Sequence, residues 1–327
     1  MKNKKIVIAG GSGFIGQELT NYFGVDNEII ILTRELQHHK TNAFGENHVS
    51  SEVLKNTRYV KWDGKTTGAW VNELNGAAVL INLAGKTVNC RYNEKNKKEI
   101  FDSRTETVKI LGAAIQMVSQ PPQLWINAAS ATIYPHATNA PRDENFTAFA
   151  GDFSVQVCQL WEKTFYEQQT PATRKVALRM AITLGAGGVM TLYFNLLKFG
   201  LGGPQGSGKQ MYSWVHVTDT CRMMEWIYEH TALEGTFNCV SPNAVTNAVF
   251  MQTLRKQTGH IIGLPAFSWM LAIGARLIGT EPELVLKSRW VLPTKIVQSG
   301  FSFQYPDIEM AFKEIIGKTP KKKYHFF

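Results

Sequence analysis

Cysteine is scarce. The 327 residues hold four, Cys90, Cys158, Cys221 and Cys239, far apart and with no C-x-x-C pair. That spacing excludes a disulfide framework and a metal-ligand set, and makes free thiols in a reducing compartment the expectation. Long apolar runs are missing too. No stretch reaches the roughly 18 apolar residues that a membrane span needs. The nearest candidate, 264–278, is interrupted by Pro265, Ser268 and Arg276 and reads as a core helix. No apolar leader stands before the first strand pattern, since Met1-Lys2-Asn3-Lys4-Lys5 runs straight into it. A secretory signal is therefore not expected, and the expected location is cytoplasmic. There is no internal repeat, no low-complexity linker and no basic stripe interleaved with aromatics, which argues against nucleic acid as a partner.

What is present is ordinary for a soluble globular chain: 44% hydrophobic and 19% charged residues. The formal net charge of +9 is the exception. Part of it is a C-terminal cluster, Lys318, Lys321, Lys322 and Lys323, which reads as a solvated tail. The remainder favours an anionic ligand such as a phosphorylated cofactor or substrate.

Short apolar runs alternate with longer helical patterns through the first half, the signature of βαβ units around a parallel sheet. Strands are expected at 5–9, 28–32, 57–62, 78–83, 123–128 and 175–179, with helices at about 14–23, 95–118 and 153–167. Pro121-Pro122 end the long helix. From 185 to 208 the chain turns glycine-rich around an apolar helix at 190–199, and strand–helix material resumes at 211–240. The expected fold is α/β: a Rossmann-type doubly wound parallel sheet with a smaller, mostly helical C-terminal substrate domain. Residues 1–180, with about 211–240, form the nucleotide domain, and about 181–210 with 241–327 form the smaller one. A ligand cleft belongs between them, at the carboxyl ends of the strands.

Gly10-Gly11-Ser12-Gly13-Phe14-Ile15-Gly16 stands between the first strand and the first helix and contains both G-x-x-G-x-x-G and G-x-G-x-x-G. This context makes it a dinucleotide motif. One glycine forms the tight turn, another removes a Cβ where backbone meets pyrophosphate, and Gly16 lets helix and strand pack closely. The helix N-terminus offers unpaired N–H groups to the phosphates, so Gly10, Gly13, Phe14, Ile15 and Gly16 are the expected phosphate-binding set. Cofactor choice is read at the end of the second strand, where Leu32-Thr33-Arg34 replaces the acidic residue typical of an NAD site. Arg34 can fork onto a 2′-phosphate and stack on adenine, while the side chain of Glu35 is expected to point away. NADP(H) is thus expected ahead of NAD(H).

Together with Asn82-Leu83-Ala84-Gly85 and Ala129-Ser130-Ala131-Thr132-Ile133-Tyr134, the glycine motif makes the chain resemble the extended short-chain dehydrogenase/reductase superfamily. Within it the chain is most similar to an atypical epimerase-family branch found in bacteria and, as SDR39U1-like proteins, in animals. Trp62-Asp63, Ser103-Arg104, Val157-Cys158 with Trp161-Glu162, Ser213-Trp214-Val215-His216 and the run from Pro293 to Pro306 carry that likeness over essentially the whole chain. The resemblance implies that Asp63 approaches adenine and that Leu83, Ala84 and Gly85 line the adenosine ribose and pyrophosphate. It also implies that Ser103 lies under the cofactor, that Ala129 and Ser130 border the nicotinamide ribose, and that Ile182 meets the nicotinamide ring.

One departure limits the functional reading. Working members of the superfamily pair a serine with Tyr-x-x-x-Lys, the tyrosine serving as acid/base. Ser130 matches the serine, but no tyrosine here has a lysine four residues on, and the segment Asp152 to Cys158 holds neither residue. Tyr134 and His216 are the candidate replacement proton donors. Lys86 is a candidate for phosphate or a substrate anion, and Cys158 reads as a packed thiol. Two functions follow: an NADP(H)-dependent oxidoreductase or epimerase with a non-standard active site, acting on an unidentified small molecule, or a non-catalytic dinucleotide-binding sensor or scaffold. Either works as a monomer or homodimer.

Overall fold

The computed structural model describes residues 1–36, 50–149, 151–267, 269–271, 281 and 286–326. Its centre is a parallel sheet built from the apolar runs. The strands are β1 (Lys5–Ala9), β2 (Glu28–Thr33), β3 (Thr57–Lys61), β4 (Val79–Asn82), β5 (Leu124–Ser130), β6 (Arg174–Met180) and, later in the chain, β10 (Gly235–Cys239). Their order is β10-β6-β5-β4-β1-β2-β3, every neighbouring pair parallel. The chain reverses its direction of strand addition between β1 and β4, which opens a crevice at their carboxyl ends.

Side chains alternate with the strand period of two, so each strand feeds two cores. Ile6, Ile8, Ile29, Ile31, Leu124, Ile126, Val176 and Leu178 face one side, where α1 (Phe14–Phe23) and α6 (Val217–Glu229) cover them with Leu19, Phe23, Met224 and Ile227. Val7, Ala9, Ile30, Leu32, Trp125 and Ala177 face the other. There α3 (Glu94–Met117) and α4 (Phe153–Tyr166) supply Val108, Leu111, Ile115, Trp161 and Phe165. Both helices start on a side-chain cap: Asn93 Oδ1 accepts from Asn96 N at 2.8 Å and Asp152 Oδ1 from Val155 N at 3.1 Å.

A third core lies outside the sheet. The short strands β7 (Ile182–Leu184) and β9 (Trp214–His216) pair in parallel, and β8 (Met211–Tyr212) pairs antiparallel with β11 (Val245–Thr246). Around them α5 (Met190–Lys198), α7 (Asn247–Gln257) and the helix Ile308–Lys318 pack Phe194, Trp214, Phe250, Leu254, Phe312 and Ile315 together. Of the stretch 211–240, α6 and β10 lie on the large sheet, whereas β8 and β9 pair with the third core. Most of the run 264–278, expected as a core helix, lies outside the described residues, and Leu264, Phe267 and Trp269 are exposed. No described helix is long and apolar enough to cross a membrane.

Candidate functional site

The glycine turn joins β1 to α1, and its glycines answer to different demands. Gly10 has φ +78°, and a Cβ there would stand 2.8 Å from Ala84 N. Both the left-handed backbone and the close approach of the loop after β4 require glycine. A Cβ on Gly16 would lie 2.4 Å from Gly11 Cα, so α1 sits directly on the turn. Gly13 is unlike both, because its Cβ would meet nothing nearer than Gly10 O at 3.7 Å. Gly13 is also the N-cap of α1 and brings no side-chain acceptor to the first N–H groups of that helix. An uncapped N-terminus beside an open glycine is a cradle for a phosphate. Phe14 does not project into it. Its ring fills the space that side chains at Gly185, Gly187 and Gly188 would take, a Cβ on Gly185 falling 2.6 Å from Phe14 Cζ.

A cavity of about 640 Å³ opens beside this turn. It brings together Gly10 and Gly13, Thr33 and Arg34 at the end of β2, Asp63 beyond β3, Leu83, Ala84 and Gly85 beyond β4, and Ser103 from α3. Glu35, expected to point away, lines it as well. Gly16 and Ala129 are buried behind the wall, and Ile15 and Ile182 are half-buried outside the lining.

The wall is held by hydrogen bonds, some within one turn and some between elements. Asp63 Oδ1 accepts from Lys65 N and Thr66 N, both at 2.8 Å, and Oδ2 accepts from the Thr66 hydroxyl at 2.6 Å. The Thr66 hydroxyl, then the backbone N–H groups, bring the Asp63 carboxyl down to about 2, so it stays ionised and caps its own turn. Trp70 Nε1 donates to Thr66 O at 3.1 Å and its ring meets Trp62 edge-on at 5.4 Å. On β4, Asn82 is fully buried, donates to Asn127 Oδ1 at 2.7 Å and accepts from Ala84 N at 3.1 Å. This pair sets the loop 83–85, and its signal in the sequence was an asparagine after the apolar residues of each of two strands, in register across the ladder. Ser103 Oγ accepts from Lys86 N at 2.8 Å, tying the same loop to α3. The Lys86 ammonium bonds Asn96 and Glu99 on α3, which occupies the candidate anion ligand.

Two of the three candidate catalytic side chains do not reach a cleft. Ser130 ends β5 half-exposed, donating to Thr132 Oγ1 at 3.0 Å and accepting from Thr132 N at 3.2 Å. Tyr134 is fully buried, because a single 3-10 turn (Ala131–Ile133) swings it inward. Its hydroxyl donates to Asn238 Oδ1 at 2.9 Å and accepts from Arg179 Nη1 at 2.8 Å, and burial pushes the phenol up. The same guanidinium grips both carboxylate oxygens of Glu162 on α4, at 2.7 and 2.8 Å. His216 is also buried: Nδ1 accepts from Thr218 N at 3.2 Å as the cap of α6, and Nε2 reaches Glu314 Oε2 at 3.0 Å. The expectation that Tyr134 or His216 donates a proton to a substrate is therefore corrected, since both are committed to joining elements of the fold. Cys158 on α4 is a packed thiol that burial pushes up to about 12.

Residues 266–315 match a domain of unknown function, DUF1731, and residues 6–239 match the NAD dependent epimerase/dehydratase family. The epimerase family protein YfhF of Bacillus subtilis is 32% identical over 313 residues, covering 95% of this chain and 97% of that protein. The human epimerase family protein SDR39U1 is 28% identical over 318 residues, covering 95% and 99%. A crystal structure of the human protein (isoform 2) with NADPH superposes with a TM-score of 0.82 at 26% identity, covering 96% of this chain and 99% of that one. Since the match at 6–239 runs from the first residues of β1 to the edge strand β10, the chain belongs to the NAD-dependent epimerase/dehydratase family.

Proposed function

We propose that this protein binds NADP(H) in the cavity beside the glycine turn and acts as an oxidoreductase or epimerase on a small molecule. The carrying observation is Arg34, exposed on the cavity wall where β2 ends. A guanidinium there supplies the fork that a 2′-phosphate needs. The bound NADPH in the human relative's structure supports the same reading. Gly13 and the uncapped end of α1 would hold the pyrophosphate, with Asp63, Ser103 and the loop Leu83 to Gly85 around the adenosine half. When bound, the cofactor supplies a hydride donor or acceptor. Ala129 and Ile182 would flank the nicotinamide half. Ser130 would donate its hydroxyl hydrogen to a substrate oxygen by releasing Thr132 Oγ1, while Thr132 N–H keeps Oγ in place.

The replacement of Arg34 tests the cofactor. Losing a charge-assisted bond costs about 1.5–3 kcal/mol, so Arg34→Ala should weaken NADPH binding about tenfold or more and leave NADH nearly unchanged, as calorimetry would read. Equal losses for both, or none, would remove the assignment.

A second reading, a dinucleotide-binding sensor without catalysis, is favoured by one observation: Tyr134 and His216 are buried and engaged, and the α4 segment holds no Tyr-x-x-x-Lys. Acid/base assistance is typically worth about 10²–10⁴ in rate, so the first reading expects slow turnover of carbonyl substrates with NADPH, reduced further in Ser130→Ala. Absence of any NADPH oxidation across a carbonyl and sugar-nucleotide panel would favour the sensor.

A further inference from the structure

Arg104 stands one residue beyond Ser103 on α3, facing α4 rather than the adenosine cavity. Four cations of the surrounding elements pair with acids: Lys86 with Glu99, Lys97 with Glu94, Arg91 with Glu281 and Lys287 with Asp152. Among the described residues no carboxylate pairs with Arg104. Its Nη1 donates to two carbonyls, Lys86 O at 3.1 Å and Ile100 O at 3.0 Å, while its guanidinium carbon lies 5.0 Å from the Trp161 ring centre. Nε and Nη2 have no acceptor among the described residues. A Cβ on the exposed Gly85 would stand 3.5 Å from the guanidinium carbon, so any side chain there would cover it.

Arg104 is half-buried, so one edge of its guanidinium is held by carbonyls while the other is left to a partner from outside the fold, and a cation partly withdrawn from water favours an anion there. Burial lowers the Arg104 pKa, consistent with that environment. Glu162 is the strongest charge acting on the Cys158 thiol, followed by the cations Arg104, Arg289 and Arg179. Arg179 is neutralised by Glu162, whereas Arg104 lies beside Trp161 and Cys158 of α4, in the segment where the superfamily's Tyr-x-x-x-Lys is missing. The Nε–Nη2 edge of a guanidinium matches two oxygens of an oxyanion side by side.

We propose that this edge of Arg104 binds an oxyanion of the substrate, a carboxylate or a phosphate, where α3, α4 and the loop at Gly85 meet. The proposal deepens the functional reading above and rests on its small-molecule substrate, but not on the identity of the cofactor.

The test follows the arginine Nε–H signals in a ¹H–¹⁵N spectrum while inorganic phosphate, succinate or neutral succinamide is added, first without cofactor and then with saturating NADPH. The signal that vanishes in Arg104→Gln should shift saturably with phosphate or with succinate, whichever binds more tightly naming the source. It should stay still with succinamide and with chloride at matched ionic strength. Arg104→Gln should weaken anion binding at least about tenfold and change NADPH affinity less than about twofold. Arg104→Lys keeps charge without the fork and should also lose most of the anion affinity; it carries the test if the glutamine variant does not fold. Unchanged anion binding in both variants, with only the melting temperature lowered, would make Arg104 a purely structural tie and overturn the proposal. A fall in NADPH affinity parallel to the anion loss would overturn it too, since the guanidinium would then hold the cofactor. Because the anion titration is also run without cofactor, a failure of the Arg34 assignment leaves this result standing.

Discussion

Gly10 and Gly13 stand three residues apart in one turn, yet the fold demands a glycine at the first and not at the second, which the proposed function reserves for binding. Gly10 has a positive φ and backbone pressed against it, whereas Gly13 has an ordinary φ of −80° and open space where its Cβ would be. Gly13→Val should therefore melt close to the parent protein and lose NADPH binding, because its branched side chain occupies the phosphate cradle. Near-native affinity in calorimetry would move the phosphate site elsewhere. Tyr134 makes the opposite case. Tyr134→Phe strips a buried hydroxyl from between Arg179 and Asn238, leaving polar groups unsatisfied at a cost of about 1–3 kcal/mol. Urea denaturation should show that loss, while any turnover per folded molecule stays unchanged.

At the scale of elements, His216 and Glu314 join α6 to the helix Ile308–Lys318 across the third core. Burial raises the Glu314 carboxyl, but hydrogen bonds from His216 and from Lys318, the latter at 2.5 Å, outweigh it and hold the group below its ordinary 4.5. A carboxyl depressed in the folded state contributes stability above the unfolded value, and that contribution is lost as pH falls through the folded one. Glu314→Gln should then be less stable than the parent by roughly 1–2 kcal/mol at neutral pH. The gap should close as the pH drops below 4.5 toward the folded value. Denaturation curves at a series of pH values check the sign: a gap that widens in acid would contradict this account.

The large sheet and the third core meet where the ring of Phe14, from α1, sits beneath the glycine loop that follows β7. A Cβ on Gly185 would fall 2.6 Å from Phe14 Cζ and 2.9 Å from Val217 Cγ1, so Gly185→Val overpacks this junction, by about 1–3 kcal/mol. Adding Phe14→Ala should recover part of the loss, a coupling that thermal unfolding of the single and double variants would measure. Strictly additive losses would mean that the ring and the loop do not share the space.

Local pattern alone was enough for much of this molecule. The apolar runs, the glycine turn and Pro121-Pro122 place strands and helices within a residue or two, because burial on both faces of a parallel strand and one stripe of a helix are written into neighbouring residues. The residues at the ends of β1, β2, β3 and β4 meet in one cavity for the same reason, since a parallel sheet brings all its carboxyl ends to one edge. Which side chains face that cleft was not local. Tyr134 turns inward to an asparagine 104 residues away. His216 is claimed by a glutamate 98 residues away, and Asn82 by an asparagine 45 residues away. Among the described residues no carboxylate pairs with Arg104, because the packing of α3 on α4 brings Trp161 and Cys158 to it rather than an acid. Whether a polar group is buried, paired or free depends on partners that only tertiary packing brings near, and so the choice between catalytic and structural roles was made there.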